Sequence, residues 1–418
     1  MTTVPAGATV NTGGGQLAPK PGSVAEVFVV ATRLGLTCFG GPVAHLGYFR
    51  QEYVTRRQWI DEATYADLIA LCQTLPGPAS SQVGISIGIL RAGLLGGLAA
   101  WLGFTLPSAI ALVMFASVVH VFGPEASGWL HGLKVVAVAV VALAVRGMAR
   151  SLASDRPRAT IAIVAAIVTI AWSSAQLPIA LGQVLIIAAA GVVGWRLLRT
   201  ESGPVSPHVR VPIGRPTATA AWVTFFVLLL GLPVLRQVTS LQAVAVFDSF
   251  YRVGSLVFGG GHVVLPLLQA EVVPPAWVTN EQFLAGYGAA QAVPGPLFTF
   301  AAYLGAVMTL QPNGVAGAAL ALVAIYVPSF LMLIGTLPSW GALRRMPDIQ
   351  AGLRGINAAV VGLLLAVLYQ TAWTSAILNT NDFALALAAF GLLAVWSVPP
   401  WLVVLLTAAG GAVLARVA

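Results

Sequence analysis

The sequence predicts an all-α polytopic membrane protein: two homologous halves forming an inverted-topology repeat, with broken or re-entrant helices at Pro-Gly-Pro and Phe-Gly-Gly motifs. Three observations predict it. Of the 418 residues, 58% are hydrophobic and 8% charged, and the mean hydropathy is +0.90, the composition of a chain whose solvent is lipid. The helix-breaking stretch Gln73-Thr74-Leu75-Pro76-Gly77-Pro78 returns as Gln291-Ala292-Val293-Pro294-Gly295-Pro296. Loops flanking the two copies also carry opposite charge bias: residues 50–62 contain Arg50, Arg56 and Arg57, whereas residues 269–281 have no basic residue, only Glu271 and Glu281. Cytoplasmic loops are the ones enriched in Lys and Arg, so the halves lie in opposite senses.

Residues 1–22 have no apolar core and no cleavage pattern, and read as a disordered tail, not a signal peptide. The first repeat spans 23–198, a polar linker spans 199–216 with Arg199, Arg210 and Arg215, and the second repeat spans 217–418. The halves superpose in order. Phe28 meets Phe247, Arg33 meets Arg252, Phe39-Gly40-Gly41 meets Phe258-Gly259-Gly260, and Glu52 meets Glu271; one residue then drops out, and Trp59 meets Trp277 and Gln73 meets Gln291. Further on, Pro107-Ser108 meets Pro328-Ser329 and Gly132-Leu133-Lys134 meets Gly352-Leu353-Arg354.

The charge-free runs Gln282–Leu343, Ala159–Trp195, Gly355–Asn381 and Phe383–Ala415 each hold roughly one to three membrane passes at about 20 residues per span. If 50–62 and Arg91 are both cytoplasmic, residues 63–90 form a re-entrant hairpin with Pro76-Gly77-Pro78 at its tip, mirrored from outside in the second half. Full helices are expected at 94–121, 131–150, 158–174 and 178–195, then at 217–235, 314–337, 352–378, 383–397 and 399–416. The Phe-Gly-Gly segments, 24–49 and 243–268, fit either a hairpin or a kinked span, and charge counting leaves both open.

The net charge of +8 sits in short clusters between apolar runs, a positive-inside pattern that makes the lipid bilayer, not nucleic acid, the partner. Cys38 and Cys72 have no metal or redox spacing. No phosphate-binding Gly-rich loop with Lys, paired His-Glu metal site or serine elbow occurs, so neither cofactor nor metal is expected and the chain does not read as an enzyme.

The chemistry sits at the breaks. Pro76, Pro78, Pro294 and Pro296 supply no backbone N–H, and the carbonyls they orphan are tolerated in hydrocarbon only where protein, a cavity or a ligand meets them. Gly40, Gly41, Gly77, Gly259, Gly260, Gly261 and Gly295 let backbone approach a ligand, and helix N-termini after such breaks suit an anion. Arg33 and Arg252 stand in otherwise apolar segments, where a guanidinium can grip an oxyanion or snorkel to headgroups. Ser80, Ser81 and Thr299 offer hydroxyls that cap the following helix or touch substrate. His262 is a further anion-binding candidate, with a neutral hydrogen-bonded ring as the blander reading. Asp67, Glu52 and Glu271, with His45, are the candidate coupling groups.

Together Phe39-Gly40-Gly41-Pro42, Glu52-Tyr53 before Trp59, Gln73 to Pro78 followed by Ser81-Gln82, and Phe258 to His262 with Val293 to Pro296 resemble the chromate ion transporter family, across roughly residues 24–416. The resemblance implies a bacterial cytoplasmic (inner) membrane transporter that exports chromate, confers chromate resistance and is driven by an ion gradient, expected to be of protons. It further implies sulfate as a related cargo; a homodimer is left open. The competing readings are a sulfate or other anion permease, a passive channel, and a membrane-embedded enzyme using His262 and Glu271 on a lipid. Which half binds is open.

Overall fold

The computed structural model describes residues 22–39, 41–122, 128–175, 179–199, 212–257, 264–343 and 346–417. Among them every regular element is helical. The first repeat comprises α1 (Val24–Thr37), α2 (Gly41–Phe49), continued by a π-helical stretch (Arg50–Arg56), α3 (Glu62–Thr74), α4 (Ala79–Phe122), α5 (Gly128–Leu152), α6 (Arg156–Ser174) and α7 (Ile179–Leu197). After α8 (Arg215–Val238) come α9 (Gln242–Leu256), α10 (Val264–Val272), α11 (Asn280–Ala290), α12 (Phe300–Val307), α13 (Gly314–Thr336), α14 (Trp340–Leu343), α15 (Pro347–Val367), α16 (Thr374–Ala376), α17 (Thr380–Ala394) and α18 (Pro400–Val417). Residues 1–21 of the expected tail, most of the linker, and Gly40, Gly259, Gly260, Gly261 and His262 lie outside the described residues.

The 14 residues of α1 rise about 21 Å, short of the ~30 Å hydrocarbon core. A cluster of charges shows where the chain turns back. Glu26 near the start of α1 pairs with Arg91 at 3.1 Å and Arg57 at 3.7 Å, while Arg57 holds Glu52 at 2.6 Å. The Arg91 guanidinium also lies 4.9 Å from the Trp59 ring centre. The start of α1, the end of α2, the loop before α3 and the end of the first arm of α4 therefore share one face of the protein. Both α1/α2 and α3/α4 are re-entrant hairpins, which decides the Phe-Gly-Gly segment in favour of a hairpin. At Ala92 and Gly93 the backbone leaves helical geometry, with Gly93 at φ 68°, and the second arm of α4 (94–122) then crosses.

The second repeat repeats this from the far side. Arg252 on α9 pairs with Glu271 at the end of α10, 2.9 Å away, and with Asp248 at 3.1 Å. Thr309 beyond α12 donates its N–H to the Trp277 carbonyl at 3.0 Å. α13 leads away from these bases towards those of the first repeat: Trp340, just past its end, donates its indole N–H to Asp67 on α3 at 3.3 Å. α4 runs the other way. Its Phe115 lies 5.7 Å from Tyr303, whose hydroxyl donates to the Gln282 carbonyl at the start of α11, 2.9 Å away. The hairpins thus enter from opposite faces.

The remaining helices form a scaffold exchanged between repeats: α6 and α7 pack on α15, and α17 and α18 pack on α5. Backbones approach closely there, with Gly355 against the Ala190 carbonyl and Gly132 against that of Thr407. A His131–Asp382 pair at 2.8 Å joins α5 to α17. Six helices among the described residues are long and apolar enough to cross a membrane, by length and composition. α8 has no counterpart in the first repeat and is peripheral, with 17% of its apolar window buried against 61% for α13. It has a topological reason. The two repeats begin from opposite faces, so an odd number of crossings must separate their starts, and α8, which is long and apolar enough to cross, supplies one outside the first repeat.

Candidate functional site

The tips of the hairpins meet one another. Gly77 donates its N–H to the Val257 carbonyl at 2.6 Å, and Gly295 donates to the Cys38 carbonyl at 2.8 Å. Gly77 and Gly295 are repeat counterparts, as are Cys38 and Val257, so one contact is made twice by symmetry. α1 and α9 end inside the protein, and the carbonyls left beyond their last turns find the tip glycine of the other repeat as donor. Both glycines have positive φ, 118° and 99°, which side chains rarely adopt. A Cβ on Gly77 would overlap Ser329 Oγ and lie 2.5 Å from Gln82 Nε2; one on Gly295 would lie 2.9 Å from Ser108 Oγ. Ser108 and Ser329 each follow a proline inside a crossing helix, Pro107 in α4 and Pro328 in α13. Each tip therefore rests on the serine of the opposite repeat.

Around the first tip lies a cluster of buried polar side chains: His45, Ser80, Ser81, Gln82, Thr105, Tyr326 and Ser329. His45 Nδ1 lies 3.3 Å from Ser80 Oγ, Ser81 Oγ lies 3.4 Å from the Tyr326 hydroxyl, and Gln82 Nε2 donates to the Pro76 carbonyl at 2.6 Å. Two atoms of the cluster, Gln82 Oε1 and Ser329 Oγ, have no partner, and His45 Nε2 and Thr105 Oγ1 have none of good geometry, lying only near the Cys38 backbone and Tyr326. Buried polar atoms are rarely left this way, because each forfeits about 1–3 kcal/mol. Trp101, Phe104 and Phe298 close the cluster with aromatic surface.

The cluster is not symmetric. The second-repeat counterparts of His45, Ser80 and Gln82 are Val264, Phe298 and Phe300, all buried. Thr299, the counterpart of Ser81, donates its hydroxyl to the Pro296 carbonyl of its own turn at 2.8 Å.

Among the expected site residues, Pro76, Gly77, Pro78, Ser80 and Ser81 surround this cluster, and Pro294, Gly295 and Pro296 form the opposing tip. The two tip glycines spend their N–H groups on protein carbonyls, so those groups are not free for an anion. Gly41 opens α2 with φ 78°. Neither arginine is brought to the tips: Arg33 is exposed on α1, and Arg252 is held by Asp248 and Glu271. The acids Glu52 and Glu271 serve the hairpin bases, and Asp67 binds Trp340 across the repeats. Thr105, Tyr326 and the two serines after prolines were missed as site residues. The signal existed, since Pro107-Ser108 recurs as Pro328-Ser329 in the middle of apolar helices. Among the described residues, no group of three metal-ligating side chains comes together.

Mirror-related pairs of broken-helix hairpins, meeting tip to tip at a buried polar cluster within a bundle of crossing helices, define a multi-pass membrane transporter. The chain belongs to the chromate transporter family, which it matches over residues 25–195 and 244–412. The unmatched stretch between contains α8, the helix outside the repeat. It is 31% identical over 366 residues to the chromate transport protein of Pseudomonas aeruginosa, covering 86% of this chain and 83% of that one. The chromate transport protein of Cupriavidus metallidurans is 27% identical over 373 residues, 86% of this chain and 85% of that one. An uncharacterised transporter of Bacillus subtilis is 30% identical over 158 residues, 86% of its length but 35% of this chain, the size of one repeat. No solved structure matches.

Proposed function

We propose that this protein is a secondary active transporter that exports chromate, a tetrahedral oxyanion, across the bacterial cytoplasmic membrane and so confers chromate resistance. The observation that carries the reading is the set of buried, unpartnered polar atoms where the hairpin tips meet. The Ser329 hydroxyl can turn a proton to an oxyanion without giving up an existing bond, and Thr105, Ser80, Ser81 and Tyr326 stand beside it. In this low-dielectric setting neutral donors bind a dianion strongly. The first-repeat tip is the binding side, because the second repeat fills the equivalent positions with Val264, Phe298 and Phe300.

His45 is the group we assign to coupling. Its ring faces Ser80 on one side and lies close to the Cys38 backbone on the other; on taking a proton it donates from both nitrogens and adds positive charge next to the anion. Glu52, Glu271 and Asp67 act instead at the hairpin bases, whose ion pairs part and re-form as access alternates between the faces. Arg33, exposed on α1, and the paired Arg252 have no part in this scheme. Neutral hydroxyls recognise tetrahedral shape and charge and not the central atom, so sulfate competes for the same site.

The test is transport of labelled chromate and sulfate in membrane vesicles of defined polarity under imposed pH gradients. Wild-type protein should carry saturable, gradient-dependent flux. Thr105→Val with Ser329→Ala should raise KM, and His45→Gln should leave flux that no longer responds to the pH gradient. Wild-type kinetics in these variants, with expression confirmed, would remove the cluster from the mechanism. Flux that survives collapse of every gradient would favour a channel.

A further inference from the structure

Away from the tips, a cavity of about 240 Å³ opens between α6 and α7 of the first repeat and α10 and α15 of the second. Thr169, Trp172, Ser173, Gln183, Gln269 and Gln370 supply its polar lining, with Ala270 among the apolar residues, and none of the described residues that line it is charged. Gln183 is 3% exposed; its Nε2 donates to the Pro266 carbonyl at 3.2 Å, while its Oε1 has no partner. Gln269 donates to Asn280 Oδ1, and Asn280 in turn donates to Ser375, at 3.2 and 2.7 Å. These contacts put the cavity level with the bases of the second-repeat hairpins.

We infer that this cavity is a binding site for a neutral, hydroxyl-bearing ligand of glycerol or single-sugar size, either free in solution or as a lipid headgroup. The chemistry selects it. Among its described lining residues Thr169 already donates its hydroxyl to the Ala165 carbonyl, and Ser173 is the one other hydroxyl, so the cavity lacks the set of hydroxyl donors that the tip cluster offers an oxyanion and is not a second cargo site. Gln183 Oε1 needs a donor, which a hydroxyl supplies, and the Gln370 amide offers both a donor and an acceptor. The Trp172 indole, which lies flat enough on Gly182 that a Cβ there would sit 2.6 Å from its Nε1, provides the apolar face against which a sugar or glycerol backbone stacks. The small volume lies below the usual range for larger ligands, about 300–1,000 Å³. Because the walls come from both repeats, and α10 is an arm of the hairpin whose partner α9 meets the first-repeat tip, occupancy braces a moving hairpin against the scaffold.

Thermal unfolding of the full chain in a sugar-free amine-oxide detergent tests this, with glucose as soluble probe and a monoglycosyl diacylglycerol in mixed micelles as lipid probe. The expected result is saturable stabilisation by at least one probe, weakened about tenfold in apparent affinity by Gln370→Leu and abolished by Ala270→Leu, which fills the cavity without touching the Gln183–Pro266 bond. Stabilisation by the lipid alone assigns the site to a headgroup; stabilisation by both assigns it to the sugar itself. No saturable shift with either probe, or equal shifts in wild type and Ala270→Leu, overturns the inference. Chromate flux is not the readout, so the result stands apart from the transport reading.

Discussion

Gly77→Ala puts the tip-to-tip arrangement to a quantitative test, because Gly93→Ala provides a matched control. Both glycines have positive φ, 118° and 68°, so alanine at either strains the backbone by about 1–3 kcal/mol. They differ in surroundings: nothing lies within 4 Å of a Cβ on Gly93, whereas one on Gly77 would overlap Ser329 Oγ and approach Gln82 Nε2 to 2.5 Å. Forcing that fit costs about 1–3 kcal/mol more, and shifting the tip weakens the Gly77–Val257 hydrogen bond, worth about 0.5–1.5 kcal/mol. Gly77→Ala should therefore destabilise by about 3–7 kcal/mol and Gly93→Ala by about 1–3 kcal/mol. Unfolding in detergent measures both. Ser329→Ala in the Gly77→Ala background should restore part of the loss, the overlap but not the backbone strain, as positive coupling in a double-mutant cycle. Equal destabilisation by the two alanines, with no rescue from Ser329→Ala, would refute the packing of the first tip against the opposite repeat.

Three further outcomes follow from the same geometry. Arg56→Cys and Thr279→Cys, both at exposed positions on a background whose native Cys38 and Cys72 are buried, should label with impermeant thiol reagents from opposite faces of the membrane; labelling from one face would abolish the inverted arrangement. Burial opposes ionisation of Glu52, yet its bonds from Arg57 and Arg56 outweigh that and hold the carboxyl below its usual value. A carboxyl depressed on folding stabilises above its unfolded pKa, about 4.3, and that contribution is lost as pH falls through the folded value; the melting temperature of Glu52→Gln should sit below wild type at neutral pH and converge with it in acid. Trp340→Phe removes the indole donor to Asp67 and should cost about 1 kcal/mol, read from chemical unfolding, with Asp67→Asn in the same background adding less than it does alone.

Much of the architecture was legible because the duplication is written in residues that cannot be exchanged cheaply in lipid. Prolines at both tips and glycines that must take positive φ leave a trace that survives divergence of the apolar residues around them. Charge placed the hairpin of α3 and α4, since Arg91 had to return to the face of Arg56 and Arg57. It could not place α1 and α2: what makes them a hairpin is Glu26 meeting Arg57 and Arg91, a contact between residues far apart in the chain. Arg252 looks isolated in sequence, but Glu271 on the returning arm neutralises it.

By itself the sequence determined the membrane setting, the two mirrored repeats and the motifs at which helices break, all of which follow from local chemistry: what lipid tolerates, where a helix cannot hydrogen-bond itself, which loops carry arginine. Only the tertiary structure decided that each tip is completed by the other repeat, that α8 is the added crossing that inverts the second half, and that the polar cluster belongs to the first-repeat tip. Those depend on which backbone carbonyl meets which glycine and on which side chains remain unpartnered after packing, relations between distant residues that no local pattern encodes.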